Sequence, residues 1–334
     1  MMYSRTVGGL FSGIGGIELG FERSGFEVLW ANESDAKACE TYRFIHDHKL
    51  IEDDVHNLKG EELSVPDVLT AGFPCQAFSI AGYRKGFSDE RGNLFYQIMR
   101  LVDEMPEQPK VLFLENVKNF HTHDSGNTIK VVREEIEARG YSVMHQVLNT
   151  ADYTDIPQNR ERIFFVCFRD EKDWEFSSDS SCSRVFDRHF PPKRIHKSKK
   201  IADMLDCGKV DSKYYYGKSK PMYKDLKKAM KRRDTVYQWR RTYVRENQSG
   251  RCPTLTANMG TGGHNVPLII DDYGFRKLTP AECFRLQGFG DISQYIPVSD
   301  SHLYKQAGNS VTVTLIERLA QLIYYSMGER EEEL

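Results

Sequence analysis

The first 170 or so residues alternate short apolar runs with longer stretches of helical spacing, the pattern of a sheet wound with helices. Strands are predicted over Thr6–Phe11, Glu27–Ala31, Val68–Ala71, Val111–Leu114, Ser142–Leu148 and Arg162–Phe168, with a further short one before Asp53. Between them, Asn93–Met105 and Asn127–Arg139 carry the apolar spacing of helices. The alternation stops near Phe168. From there to about Asp272 the chain is polar, basic and turn-rich, with Pro191-Pro192 and Gly260-Thr261-Gly262-Gly263, so a second domain is expected there. Regular spacing returns where Thr279-Pro280-Ala281-Glu282 reads as an N-cap, a first-turn proline and a first-turn acid opening a helix to Leu286. A last helix is expected over Val311–Ser326, ahead of an acidic tail.

Composition narrows the class. With 334 residues, 40% hydrophobic and 28% charged, the chain suits one large or two ordinary folded domains and excludes a disordered tail. Seven cysteines, at positions 39, 75, 167, 182, 207, 252 and 283, form no C-x-x-C pair, which argues against a structural zinc site and a disulfide framework. No apolar run approaches the roughly 18 residues of a membrane span, so a soluble intracellular protein is expected. The net charge of −2 conceals an asymmetry: residues 184 to 245 hold 20 Lys and Arg against six acids. Aromatics interleave there, as in Tyr214-Tyr215-Tyr216 and Tyr237-Gln238-Trp239-Arg240-Arg241. Basic groups beside flat rings suit a polyanion with exposed bases, which makes nucleic acid the leading partner.

The chemistry gathers at predicted strand ends. Strand one runs into Phe11-Ser12-Gly13-Ile14-Gly15-Gly16, where glycines let the backbone approach a ligand. The sixth position counted from Gly13 is Glu18, which removes support for a dinucleotide fingerprint. Glu33 follows strand two and Asp53-Asp54-Val55 follows strand three, carboxylates placed to hold ribose hydroxyls and an adenine amino group. Together they suit an adenosine ligand without a pyrophosphate. Strand four delivers Gly72-Phe73-Pro74-Cys75-Gln76, strand five ends in Glu115-Asn116-Val117, and Gln158-Asn159-Arg160-Glu161-Arg162 stands before the last strand. The set offers a nucleophile, an acid and guanidinium donors.

These blocks, with Arg276-Lys-Leu-Thr-Pro-Ala-Glu-Cys-Phe-Arg-Leu-Gln-Gly-Phe289 and Gln306-Ala-Gly-Asn-Ser-Val311, resemble in residues and order the motifs of the DNA cytosine carbon-5 methyltransferases of the restriction-modification type. The resemblance covers nearly the whole chain except roughly residues 170 to 250. It implies an α/β, Rossmann-like mixed sheet using S-adenosylmethionine, released as S-adenosylhomocysteine, and a smaller, variable target-recognition domain. The expected partition is 1–172 for the first catalytic part, 173–275 for target recognition and 276–334 for the return. By position Cys75 resembles the nucleophile and Glu115 the residue at ring nitrogen 3 and the amino group of a flipped cytosine. Arg162 would contact the base carbonyl, and Arg160 would support the site or a phosphate. Phe11, Gly13, Ile14, Gly15, Gly16, Glu33, Asp54, Val55, Pro74, Asn309, Ser310 and Val311 would line the cofactor. Gly9 stands where relatives often have an acid, and Ser34 where some have a tryptophan.

The resemblance further implies double-stranded DNA as substrate, no metal, no membrane and a monomer, with or without a companion endonuclease. The expected location is the cytoplasm of a prokaryote, or of the host if the chain is phage-encoded. Candidate DNA contacts are Gln76, Ser79, Arg240, Arg241, Arg245, Thr254, Thr256 and Asn258. One alternative is a tRNA cytosine-5 methyltransferase, but those relatives lack a large insert and carry Cys-Phe-Thr before it, whereas Cys283-Phe284-Arg285 lies after it. The other, a catalytically inactive DNA-binding regulator, sits badly with intact Cys75, Glu115 and Arg162.

Overall fold

The computed structural model describes residues 5–74, 94–169, 190–194, 199–240, 242–261, 265–292 and 296–327. In chain order its main elements begin with β1 (Thr6–Leu10), α1 (Gly16–Glu22), β2 (Glu27–Glu33), α2 (Ala36–Ile45), β3 (Leu50–Glu52), β4 (Val68–Ala71) and α3 (Leu94–Glu104). They continue with β5 (Val111–Val117), α4 (Asn127–Glu137), β6 (Tyr141–Asn149), α5 (Thr150–Tyr153), β7 (Gln158–Asn159) and β8 (Glu161–Arg169). Next come α6 (Tyr223–Ala229), β9 (Tyr237–Arg240), β10 (Tyr243–Glu246), β11 (Cys252–Pro253), β12 (Leu268–Asp271) and β13 (Gly274–Lys277). The last three are α7 (Pro280–Leu286), α8 (Asp300–Asn309) and α9 (Val313–Ser326). No helix among the described residues is long and apolar enough to cross a membrane.

Seven strands make one sheet in the order β3-β2-β1-β4-β5-β8-β6. Pairing is parallel from β3 through β5, while β8 runs antiparallel to β5, so the sheet is mixed. All four residues of β4, and all of β5 but Val117, are buried, as expected of central strands covered on both faces. α3 turns Phe95, Ile98, Met99, Leu101 and Val102 to the core, and α4 turns Ile129, Val132 and Ile136, the 3- and 4-residue spacing of a one-sided apolar stripe. This packing fixes the register of β4 and β5, and with it the position of their carboxyl ends, where the candidate chemistry sits.

The chain divides into two compact units. One holds residues 1–148, 161–192 and 316–334, and the other 149–160 and 193–315. This division differs from the expected partition: residues 276–315, and a short piece before β8, lie with the second unit. Physical reasons are visible in its contacts. β7 pairs with β11, buried Gln158 donates to the Leu286 carbonyl at 2.7 Å, and Arg276, 1% exposed, joins Asp271 of β12 to Glu282 of α7. The second unit also carries a four-stranded sheet, β10-β9-β12-β13, over a small core of Met222, Leu226, Met230, Tyr237 and Leu268.

Candidate active site and cofactor turn

In the first unit, β4 ends in Gly72-Phe73-Pro74, with Phe73 wedged between Phe95 and Phe120 at ring separations of 6.0 and 5.6 Å. Asn116 of β5 donates from its side chain to the Phe73 carbonyl at 2.9 Å. That bond ties the exit of β4 to the end of β5 two residues ahead of Cys75. Cys75 itself lies outside the described residues, as do Gln76, Ser79 and Arg241. Glu115, one residue before Asn116, is buried, and its Oε1 lies 3.1 Å from Nε of Arg162. The antiparallel register that sets Val117 opposite Arg162 brings the pair together. Glu115 also borders β4, since a Cβ placed on Gly72 would stand 3.7 Å from its Oε2. Burial pulls the Arg162 guanidinium below its ordinary pKa, and the Glu115 charge opposes that pull. The sequence marked Glu115 and Arg162; it did not mark Asn116 as the residue that pins the strand exit.

Arg160, two positions away, has a different fate. It is 2% exposed and lies in the second unit, where its guanidinium donates to the carbonyls of Leu255 (2.8 Å), Gly308 (3.1 Å) and Ser310. Of the two roles expected for it, support of the site or a phosphate contact, these bonds favour the first: the guanidinium holds backbone carbonyls and organises the chain around α8. Asn309 is exposed at the end of α8, Ser310 caps that helix, and Val311 is buried, all three within the second unit.

The glycine-rich turn between β1 and α1 adopts left-handed backbone at Phe11 (φ 57°), Gly13 (58°) and Gly15 (79°). Phe11 is thus the first residue of the turn, correcting its expected place as the last of the strand. The amide of Gly13 donates to Glu33 Oε2 at 2.8 Å, drawing the turn to the end of β2, and Ile14, Gly15 and Gly16 are buried behind it. At the end of β3, Asn32 donates to the carbonyls of Ile51 and Asp53, Asp54 is exposed, and Val55 is buried. Hydrogen bonds from the His56 amide and ring hold the Asp54 carboxyl below its ordinary pKa, so it is an anion at neutral pH. Pro74 is exposed at the mouth of β4. Among the described residues, a Cβ added to Gly13 would meet nothing within 4 Å, which leaves the space in front of the turn open there. An open glycine cradle bordered by carboxylates at two strand ends fits an adenosine-bearing cofactor. Glu33 and Asp54 would take its hydroxyl and amino donors, while the turn would give close backbone approach.

In the second unit, β9 and β10 form a hairpin that sets Gln238 opposite Arg245. Exposed Arg240 and Arg245 both donate to Gln238 Oε1, at 3.1 and 2.5 Å. Thr256 and Asn258 are exposed. Thr254 is partly buried and its hydroxyl donates to the Asn159 carbonyl at 2.6 Å.

Comparison with known proteins identifies the family and the fold. The chain is 49% identical over 326 residues to the type II methyltransferase M.Bsp6I of Bacillus sp. (strain RFL6), an alignment covering 96% of this chain and 99% of that one. It is 36% identical over 328 residues to the type II methyltransferase M.HhaI of Haemophilus parahaemolyticus, covering 96% and 94%. Among solved structures, S. pombe Dnmt2 methyltransferase superposes with a TM-score of 0.73 at 20% identity, over 97% of this chain and all of that one. The Entamoeba histolytica methyltransferase EhMeth gives 0.72 at 16%, over 98% and 100%. At such identities the structural likeness speaks for the fold. Residues 6–324 match the family model for C-5 cytosine-specific DNA methylases, and the chain belongs to that family.

Proposed function

We propose that the protein methylates carbon 5 of a cytosine flipped out of a specific duplex DNA sequence, as the modification enzyme of a type II restriction-modification system, with Cys75 as transient covalent nucleophile. The supporting observation is the pairing of buried Glu115 with partly buried Arg162 at the end of β5, beside a strand exit that Asn116 ties down two residues before Cys75. Carbon 5 of cytosine is too weak a nucleophile to attack an alkyl donor unaided. In this reading the Cys75 thiolate bonds to carbon 6, and the electron pair released into the ring is met at nitrogen 3 by Glu115, assistance worth about 10²–10⁴ in rate. Arg162 binds the base carbonyl and holds the Glu115 carboxyl in place. S-adenosylmethionine, held by the glycine turn, Glu33 and Asp54, supplies an electrophilic methyl group on a sulfonium. Carbon 5 then loses its proton, the carbon–sulfur bond to Cys75 breaks, and aromaticity returns.

Flipping the base costs a few kcal/mol, which phosphate contacts from the basic second unit offset. Arg240, Arg245, Thr256 and Asn258 are the described candidates to face DNA there. Bisulfite sequencing of plasmid DNA exposed to the purified protein tests the reading directly. Cytosines protected at one recurring motif are expected, and uniform conversion by folded protein supplied with S-adenosylmethionine overturns it. Duplex DNA bearing 5-fluorocytosine at that motif is expected to trap a denaturation-resistant adduct, because the fluorine cannot leave as the proton does; an active enzyme that traps nothing rules out the covalent route.

A further inference from the structure

β1 ends in Gly8-Gly9-Leu10, so Gly9 contributes no side chain where the sheet meets the cofactor turn. The volume is nevertheless filled. A Cβ at Gly9 would lie 1.9 Å from Oε1 of Glu18 and 2.9 Å from Oγ of Ser12. Glu18 reaches this point from the first turn of α1, is 1% exposed, and accepts a 2.7 Å hydrogen bond from the Ser12 hydroxyl through Oε1. Its Oε2 is buried and makes no hydrogen bond among the described residues. Ser12 is the hub of the turn: its amide donates to the Asn32 carbonyl at 2.9 Å, and its own carbonyl accepts from Gly15 at 2.8 Å. A carboxyl group kept dry with one oxygen unpaired is expensive, and an apolar side chain would fill the same volume without that cost.

We propose that Glu18 is a positioning residue for the cofactor: standing in the volume that Gly9 leaves, its carboxyl group holds Ser12, and through Ser12 it fixes the conformation of the turn that receives S-adenosylmethionine. The proposal rests on the cofactor reading above, and it makes cofactor binding depend on pH. The groups facing Glu18 are the Ser12 hydroxyl of the turn, the Glu33 carboxylate of β2 and the Tyr42 hydroxyl of α2, while Gly8 and Gly9 of β1 present none. Burial is the main cause that pushes the Glu18 carboxyl up to about 7; the Ser12 hydrogen bond opposes it and Glu33 adds to it. S-adenosylmethionine brings a sulfonium and an ammonium to the turn, and positive charge nearby favours ionised Glu18. Binding therefore releases a proton to solvent, and affinity rises with pH until Glu18 is already ionised in the free protein. His46, whose ring donates to the Ile14 carbonyl behind the same turn, is pushed down to about 4 chiefly by burial, so it stays uncharged over that range.

Calorimetric titration of S-adenosylmethionine into DNA-free protein, from about pH 6 to about pH 8.5 and in buffers of different ionisation heat, tests this. Wild-type Kd is expected to fall by up to about tenfold per pH unit below the midpoint, with net proton release. Glu18→Gln, which keeps the shape, is expected to bind more weakly above pH 7, with a flat profile and no released proton. Gly9→Ala, whose methyl would displace the carboxyl group, is expected to weaken binding although it bears no cofactor-binding group. Circular dichroism melting confirms that each variant is folded. Variants that melt earlier but keep the wild-type Kd and its pH slope would show a merely structural role and overturn the proposal, as would a flat wild-type profile. Folded wild-type protein that binds no S-adenosylmethionine at any pH would instead overturn the cofactor reading itself.

Discussion

The end of β5 and the β9–β10 hairpin both present arginine beside an acceptor side chain, yet they hold it differently. At β5, buried Glu115 and partly buried Arg162 meet through a register that seven residue pairs enforce. On the hairpin, Gln238 Oε1 is shared between Arg240 and Arg245, whose guanidinium groups are exposed. An exposed arrangement of this kind is worth little and gives way readily to a ligand, whereas a buried pair resists rearrangement. One region suits chemistry that tolerates little displacement, and the other suits side chains that re-aim toward phosphates and base edges.

The strongest test of that contrast is Cys75→Ala, expected to abolish methyl transfer measured with radiolabelled cofactor while DNA binding by fluorescence anisotropy persists. Residual methylation by the purified variant would remove the chemical half of the comparison. Next, Glu115→Gln is expected to slow single-turnover methylation by about 10²–10⁴ with cofactor affinity little changed. A rate close to wild type would mean that the β5 edge is no more exacting than the surface. Arg160→Met leaves three carbonyl groups without their donor and is expected to cost on the order of 3 kcal/mol in urea unfolding. A stability near wild type would show that these bonds organise nothing. Smallest is Arg245→Ala, expected to weaken DNA binding modestly and to lower the salt slope of log K by about one, with the single-turnover rate at saturating DNA unchanged. A fall in that rate would blur the division between the two regions.

The same contrast explains what could be read along the chain. Where backbone geometry demands particular residues, the letters are diagnostic. Thr279 and Glu282 form the capping box their spacing announces, and the glycine turn adopts the left-handed angles its composition allows. β4 and β5 stand out as short apolar runs because both their faces are covered. The hairpin strands β9 and β10 did not stand out. They are four residues long, only partly buried, and their core is gathered from residues as far apart as Met222 and Leu268. Nor was the parting of Arg160 from Arg162 legible: two like residues two positions apart follow different elements, and only the pairing of β7 with β11 and of β5 with β8 separates them.

With the second unit reading DNA, as proposed above, that parting bears on exchanging target specificity between related enzymes. The second unit is assembled from two separate stretches, 149–160 and 193–315, so its backbone is not one cassette. A graft spliced at 193 and 315 would import foreign carbonyls for a resident Arg160 to grip. Chimaeras that transplant residues 149–160 with the rest keep donor and acceptors from one parent, and those are the hybrids in which sequence preference can change hands without loss of folding.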